Sequence, residues 1–179
     1  LITQLSRILS PARCLAKVSA DSRKRVLEKI SEMCANELSD IVSRDIFDAF
    51  VARERLGSTA MGQGVAVPHV RFDGIEQPIA VLLQLLNPVD YDAPDKQKVD
   101  LFFGFLVPVG AQGEHLRVLS QVAGMFGDEA MREELRKAEN EQILYQLVLD
   151  HERKSLARDD TLPGLIGGDE DDGQIDEKN

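Results

Sequence analysis

Tryptophan is absent, and the two tyrosines and seven phenylalanines bring aromatics to only 5% of 179 residues. Leu, Val, Ile and Ala must therefore fill most of any core. A hydrophobic content of 43% is enough for one domain of ordinary size. Cysteine is nearly absent too. Cys14 and Cys34 have neither metal-ligand nor C-x-x-C spacing, so the expectation is free thiols on helices in a reducing compartment. No apolar run approaches the length of a membrane-spanning helix, so membrane insertion is not expected. The stretch LITQLSRILSPARCLAK is interrupted by Arg7, Pro11 and Arg13 and does not read as a signal peptide, which leads to the expectation of a cytoplasmic protein. Positive charge is short as well. Lys and Arg number 21 against 31 Asp and Glu, for a net charge of −10. That balance argues against broad nucleic-acid binding, which needs a basic surface to displace counterions, but it leaves room for a small basic pocket.

Several chemistries are missing with their motifs. There is no Walker or Rossmann glycine loop; GQGVAVP has two glycines, lacks the third and opens no helix. Neither a G-x-S-x-G elbow nor an H-E-x-x-H zinc helix occurs. Two histidines and an acid form a metal site only with ligand spacing, which is not present here. No metal and no cofactor are expected.

The charge that is present is uneven. Residues 159–179 hold eight acidic residues and one lysine, a net −7 of the total −10. With GGDEDDGQIDEKN and little to bury, an acidic, disordered tail is expected over 156–179, following a domain at 1–155. The tail reads equally well as a solubilising segment and as an interaction segment.

Within the domain, Val26, Leu27, Ile30, Met33 and Cys34 recur at helical spacing over residues 21–35, with Asp21 and Ser22 offered as caps. A second helix is expected at about 44–56, burying Ile46, Phe47, Phe50 and Val51 and ending at Gly57. The period then changes. GVAVPH, PIAVLLQLL and VDLFFGFLVPV are short or nearly continuous apolar runs, as strands covered on both faces should be. NPVDYDAPDK reads as a loop. Beyond Gly110 the helical period returns. Leu116, Leu119, Val122, Ala123 and Phe126 form a stripe, a charged helix covers about 128–137, and Asn140 caps a last helix burying Ile143, Leu144, Leu147 and Val148. The order helices, strands, helices predicts an α/β (α+β) fold, a small mixed sheet with helices on both faces.

Three histidines carry most of the available chemistry. His151, in LDHERK, reads as a solvated cation at the end of the last helix. His69 follows Val65 and Val67 at alternate positions and sits just after Pro68, where the missing N–H suggests that the strand ends. It is either a filler of that corner or a side chain presented to the surface, and Arg71 shares its side if the chain stays extended. His115 opens a helix after VPVGAQGE, where free N–H groups favour an anion and a neutral imidazole. It reads either as a donor to an anion or as a residue at the edge of the apolar stripe.

The stretch VARERLGSTAMGQGVAVPHVRF, with Arg53-Glu54, Gly57-Ser58-Thr59, Gly64 and Pro68-His69, resembles the active-site signature of the enzyme IIA domains of the bacterial phosphoenolpyruvate-dependent phosphotransferase system, fructose/mannitol class. FFGFLVPVGAQGEHLRVLSQVAGMF resembles the family's second histidine segment, and the likeness spans about residues 5–150. The resemblance implies the type-2 enzyme IIA fold. It makes His69 the phosphoryl acceptor, His115 the second active-site histidine, Arg53 the balancing charge, and Ser58 and Thr59 part of the pocket. It further implies a histidine phosphocarrier protein as donor, with no metal or nucleotide. Val70, Arg71 and Phe72 are the candidate partner-binding residues, the two apolar ones as an exposed rim. Many relatives have Gly and then Lys after the active histidine, where this chain has Val70 and Arg71.

Within the class the chain most resembles the stand-alone nitrogen-regulatory members, which act on regulated targets such as transporters or sensor kinases. Two other readings stand beside that one: a sugar-specific component passing phosphate to a IIB cysteine, and a binding module that has lost transfer.

Overall fold

The structure is a computed structural model that describes residues 4–159. In chain order it contains α1 (Leu5–Ile8), a 3-10 turn (Pro11–Arg13), β1 (Cys14–Val18), α2 (Arg23–Ala35), α3 (Ser43–Arg55), β2 (Ala60–Gly62), β3 (Val65–Ala66), β4 (His69–Phe72), β5 (Ile79–Val89), β6 (Val99–Pro108), α4 (Glu114–Gly127), α5 (Glu129–Lys137) and α6 (Glu141–Asp159).

The two long apolar runs become the centre of the sheet. β5 and β6 pair antiparallel, with Leu82 opposite Phe103 and Ala80 opposite Phe105. β1 adds parallel to β5 on one side. On the other, β3 and β4 add parallel to β6, and β2 pairs antiparallel with β3. The sheet is therefore mixed, in the order β1-β5-β6-β3-β2 with β4 also on β6. Both faces are covered. Leu82, Leu101, Phe103, Phe105 and Val107 meet Val118, Val122, Met125, Leu144 and Val148 of α4 and α6 on one side. Val81, Leu83, Phe102 and Leu106 meet Val26, Ile30, Ile46 and Phe50 of α2 and α3 on the other. Burial on both faces is why these strands lack polar alternation.

The helix signals act as their chemistry requires. The Ser22 hydroxyl accepts from the Arg25 N–H, and the Asn140 side chain accepts from the Ile143 N–H at 3.0 Å. Other expectations are corrected. Cys14 lies in strand β1, not on a helix, whereas Cys34 is on α2; both are buried. β5 continues through Asn87-Pro88-Val89, so the expected loop begins only at Asp90; Tyr91 lies in that loop and is fully buried against Phe102. The buried stripe of α4 is Val118, Val122, Met125 and Phe126, which leaves Leu116 61% exposed. Ile143 is exposed as well. His151 does not end a helix: α6 runs on to Asp159, past the boundary expected at residue 155, and holds His151 half-buried. The remaining tail, 160–179, lies outside the described residues.

β1 escaped the sequence reading because it is short, and part of what holds it comes from far along the chain. Lys17 has a φ of 55° where the β1–β5 register shifts, so its N–H leaves the regular ladder. That N–H donates to Oε1 of buried Gln84 at 2.8 Å. Nε2 of Gln84 in turn donates to the carbonyls of Leu135, Arg136 and Ala138 at 2.8–3.0 Å. One amide thus joins the bulged edge strand to the end of α5.

Candidate functional site

The site begins with β-strand register. Val65 lies opposite Leu101 and Ala66 opposite Phe102; after a break at Val67 and Pro68, the same register resumes with His69 opposite Phe105 and Arg71 opposite Val107. The strand line does not end at Pro68. The proline has no donor to lose, yet its carbonyl still accepts from the Phe105 N–H at 3.0 Å. His69 consequently opens a strand instead of closing one.

Alternation then sorts the side chains. Val65 and Val67 face the α4–α6 core, while Val70 and Phe72 turn to the α2–α3 core and pack against it half-buried. The exposed rim expected at Val70 and Phe72 is thus absorbed into packing. A β-branched residue after the histidine suits a strand position. Exposed apolar side chains on the segments that carry the site are instead Leu56 at the end of α3, Val109 just past β6, and Leu116 beside His115.

His69 is half-buried, its ring stacked on Phe105 with centroids 5.3 Å apart and planes 16° from parallel. Its Nδ1 lies 2.7 Å from the Val67 carbonyl oxygen. A carbonyl can only accept, so Nδ1 of His69 carries the proton and Nε2 keeps its lone pair. Burial, chiefly, pushes the His69 pKa below its ordinary value. The Val67 carbonyl and Glu54 oppose that shift, while Arg53 and His115 add to it. The result is a neutral imidazole with its nucleophilic nitrogen free.

His115 sits in the first turn of α4, after Gly113, and its Nδ1 is 3.2 Å from Nη2 of Arg71. Partial burial and then the Arg71 charge hold its pKa below the ordinary value. Arg53, in the last turn of α3, donates through Nη1 to the carbonyl of Gly57 at 3.0 Å, which ties the helix end to the turn that follows. Ser58 and Thr59 are committed within that turn. The Ser58 hydroxyl donates to the Tyr91 carbonyl at 2.6 Å and accepts from the Ala60 N–H. The Thr59 hydroxyl donates to Glu54, whose other oxygen accepts from the Thr59 N–H at 3.1 Å. The Thr59 carbonyl accepts from the Val67 N–H, which carries the order of this turn into the chain that presents His69.

The structure therefore brings His69, His115, Arg53 and Arg71 into one electrostatic neighbourhood, with Ser58 and Thr59 building the turn behind it. Sequence reasoning quoted Glu54 in the motif but gave it no role, although it is buried to 7% exposure and organises the turn. The signal was available: Glu54 follows Phe50 by four residues and so falls on the buried stripe of α3, where a carboxylate requires partners. Phe105 had no such signal, because its partner in the stack comes from another strand. Among the described residues no group of three His, Cys, Asp or Glu side chains could hold a metal ion.

This mixed sheet with helices on both faces, presenting one histidine from a strand and another from a helix start, defines the class. The family model described as phosphoenolpyruvate-dependent sugar phosphotransferase system, EIIA 2, matches residues 7–151, and the chain belongs to that family. Its relatives include the nitrogen regulatory protein of Pseudomonas aeruginosa, 46% identical over 147 residues, 82% of this chain and 96% of the relative. The nitrogen regulatory protein of Escherichia coli (strain K12) is 39% identical over 150 residues, 83% of this chain and 91% of the relative. Among solved structures, the nitrogen regulatory protein IIA-Ntr of Neisseria meningitidis superposes with a TM-score of 0.76 at 37% identity, covering 80% of this chain and 98% of that one. No helix among the described residues is long and apolar enough to cross a membrane.

Proposed function

We propose that this protein is a phosphorelay carrier of the nitrogen-regulatory type, in which His69 accepts a phosphoryl group from a histidine phosphocarrier protein and the phosphorylation state regulates other proteins. One observation carries the reading most: Nδ1 of His69 is engaged by the Val67 carbonyl, which leaves Nε2 as a neutral nucleophile at the edge of the fold. The Nε2 lone pair forms the new N–P bond as the donor's N–P bond breaks, and that electron pair returns to the donor nitrogen. The step needs no further reactant. The positive charge arriving on the His69 ring is stabilised by its Nδ1–H bond to Val67, and Arg53 and His115 supply cationic and N–H stabilisation to the transferring group.

In this reading the donor approaches the exposed side of His69, with Arg71 as a charged contact and the exposed Leu56, Val109 and Leu116 as candidate apolar contacts. Transporters and sensor kinases are the regulated targets this reading carries. The names of the relatives favour the regulatory role over a sugar-specific one, since both would use the same His69 chemistry.

The test is incubation with phosphoenolpyruvate, enzyme I and a histidine phosphocarrier. Acid-labile, base-stable label should appear on the wild type and vanish in His69→Ala. Label retained by His69→Ala removes the assignment, and a wild type that takes no label leaves a transfer-dead binding module. Onward transfer to a IIB cysteine would instead establish the sugar-specific reading.

A further inference from the structure

We propose that Arg71 is a positioning residue for His115, fixing its imidazole as the Nε2–H tautomer so that His115 can only donate to the phosphoryl group on His69. The inference deepens the reading above and rests on it for the identity of the acceptor.

The hydrogen-bond inventory of the two side chains decides the tautomer. Nη2 of Arg71 lies 3.2 Å from Nδ1 of His115. A guanidinium has five donors and no acceptor, and it does not deprotonate in proteins. Its partner at Nδ1 must therefore be a lone pair, and a neutral ring with a bare Nδ1 carries its hydrogen on Nε2. His69 is set the opposite way, because its Nδ1 faces a carbonyl, which has no hydrogen to give. A backbone acceptor and a guanidinium thus impose complementary states on the two rings: a lone pair on Nε2 of His69 and a hydrogen on Nε2 of His115. That is what transfer requires, one nitrogen to attack phosphorus and one N–H to hold a phosphoryl oxygen.

The strand supplies the geometry. Arg71 is two residues beyond His69 on β4 and so leaves the sheet on the same face, toward the start of α4. Val70, between them, points into the opposite core, so the spacing is fixed by packing on both faces. Arg71 itself is exposed, and replacing it removes no core contact. The charges around His115 agree with a neutral ring. Arg71 comes from β4, His69 faces it from the same strand, and the N-terminal end of α4 is itself positive. Glu114, the neighbour on its own helix, is the nearest acidic residue in sequence.

The test is long-range 1H–15N NMR of the histidine rings in the free, full-length protein, with no donor present, beside donor-driven labelling of His69. The wild type should show His115 as a single Nε2–H tautomer and His69 as Nδ1–H. Arg71→Lys keeps a donor and should preserve the His115 tautomer. Arg71→Glu places an acceptor at Nδ1, so it should move the hydrogen there and raise the His115 pKa. Labelling should then slow by about tenfold to a hundredfold, while His69 keeps its tautomer. An unchanged His115 tautomer and titration in Arg71→Glu would overturn the proposal, and so would a wild-type His115 that carries its hydrogen on Nδ1. Because the ring measurement needs no transfer, a tautomer displaced in Arg71→Glu beside a wild type that takes no label would refute the carrier reading while sustaining the role of Arg71.

Discussion

The imidazole of His69 lies flat against the ring of Phe105, its register partner on the neighbouring strand, with centroids 5.3 Å apart. Phe105 is wholly buried, so it serves as both a core residue and the apolar floor of the site. Phe105→Ala should cost about 3–5 kcal/mol of stability and admit water beneath His69. The His69 pKa should then rise toward 6.5, because burial is the largest cause of its depression. Phe105→Leu should do less of both. An NMR titration of the His69 ring protons reads the shift, and an unaltered titration in Phe105→Ala would mean that the stack does not desolvate the ring.

The pH dependence of stability follows from the same sign. His69, His115 and His151 all have folded-state pKa values held below 6.5, chiefly by burial. Below that value the unfolded chain takes up protons that the folded chain refuses. Their contribution to stability is therefore complete above about pH 6.5 and is lost as pH falls through the folded values. Urea midpoints should be flat above neutrality and drop on the acid side of 6.5, with a shallower drop in His69→Gln. Asp95, held below its ordinary carboxylate value by the Gln63 and Gln97 N–H groups, acts only in a separate, more acidic window. A midpoint that rises on acidification through 6.5 contradicts this account.

Gln84 should be a stability residue with no role in transfer. Gln84→Leu leaves the Lys17 N–H and the carbonyls of Leu135, Arg136 and Ala138 without their partner. The expected cost is about 2–4 kcal/mol, read as a lower urea midpoint, with His69 labelling unchanged below the transition. Full stability in Gln84→Leu would show that the four backbone groups find other partners.

The two thiols should be silent in the folded protein. Burial pushes the pKa values of both Cys14 and Cys34 up to about 12, so neither forms thiolate at neutral pH. A chromogenic disulfide reagent should titrate no thiol in native buffer and two in denaturant. Rapid reaction in native buffer would show that one of the strands or helices covering them opens readily.

Much of the fold was legible because it rests on local periodicity. The stripe from Val26 to Cys34, the caps Ser22 and Asn140, and the apolar runs that became β5 and β6 each contain their own signal. What failed were elements whose stability comes from elsewhere. β1 is a short strand held by pairing with β5 and by a glutamine amide from β5, and Tyr91 is buried because Phe102 and the Ser58 turn close over it. On α4, the choice between Leu116 and Val118 as core residue depended on which way the helix rolled against β6. For the site, the motif letters named His69, His115 and Arg53. Their working partners, the Val67 carbonyl and the Phe105 face, are a backbone atom and a cross-strand neighbour, and neither leaves a mark in residue type.

The amino-acid sequence by itself determined a sheet with helices on both faces, because hydrophobic periodicity acts over a few residues, and its motif letters marked His69, His115 and Arg53 as the candidates for chemistry. Only the tertiary structure decided the state of each imidazole. A histidine's tautomer is set by what faces its second nitrogen: a carbonyl two residues back for His69, and an arginine 44 positions away in the chain for His115. The sequence does not contain that pairing until β4 lies against β6 and α4 begins beside them.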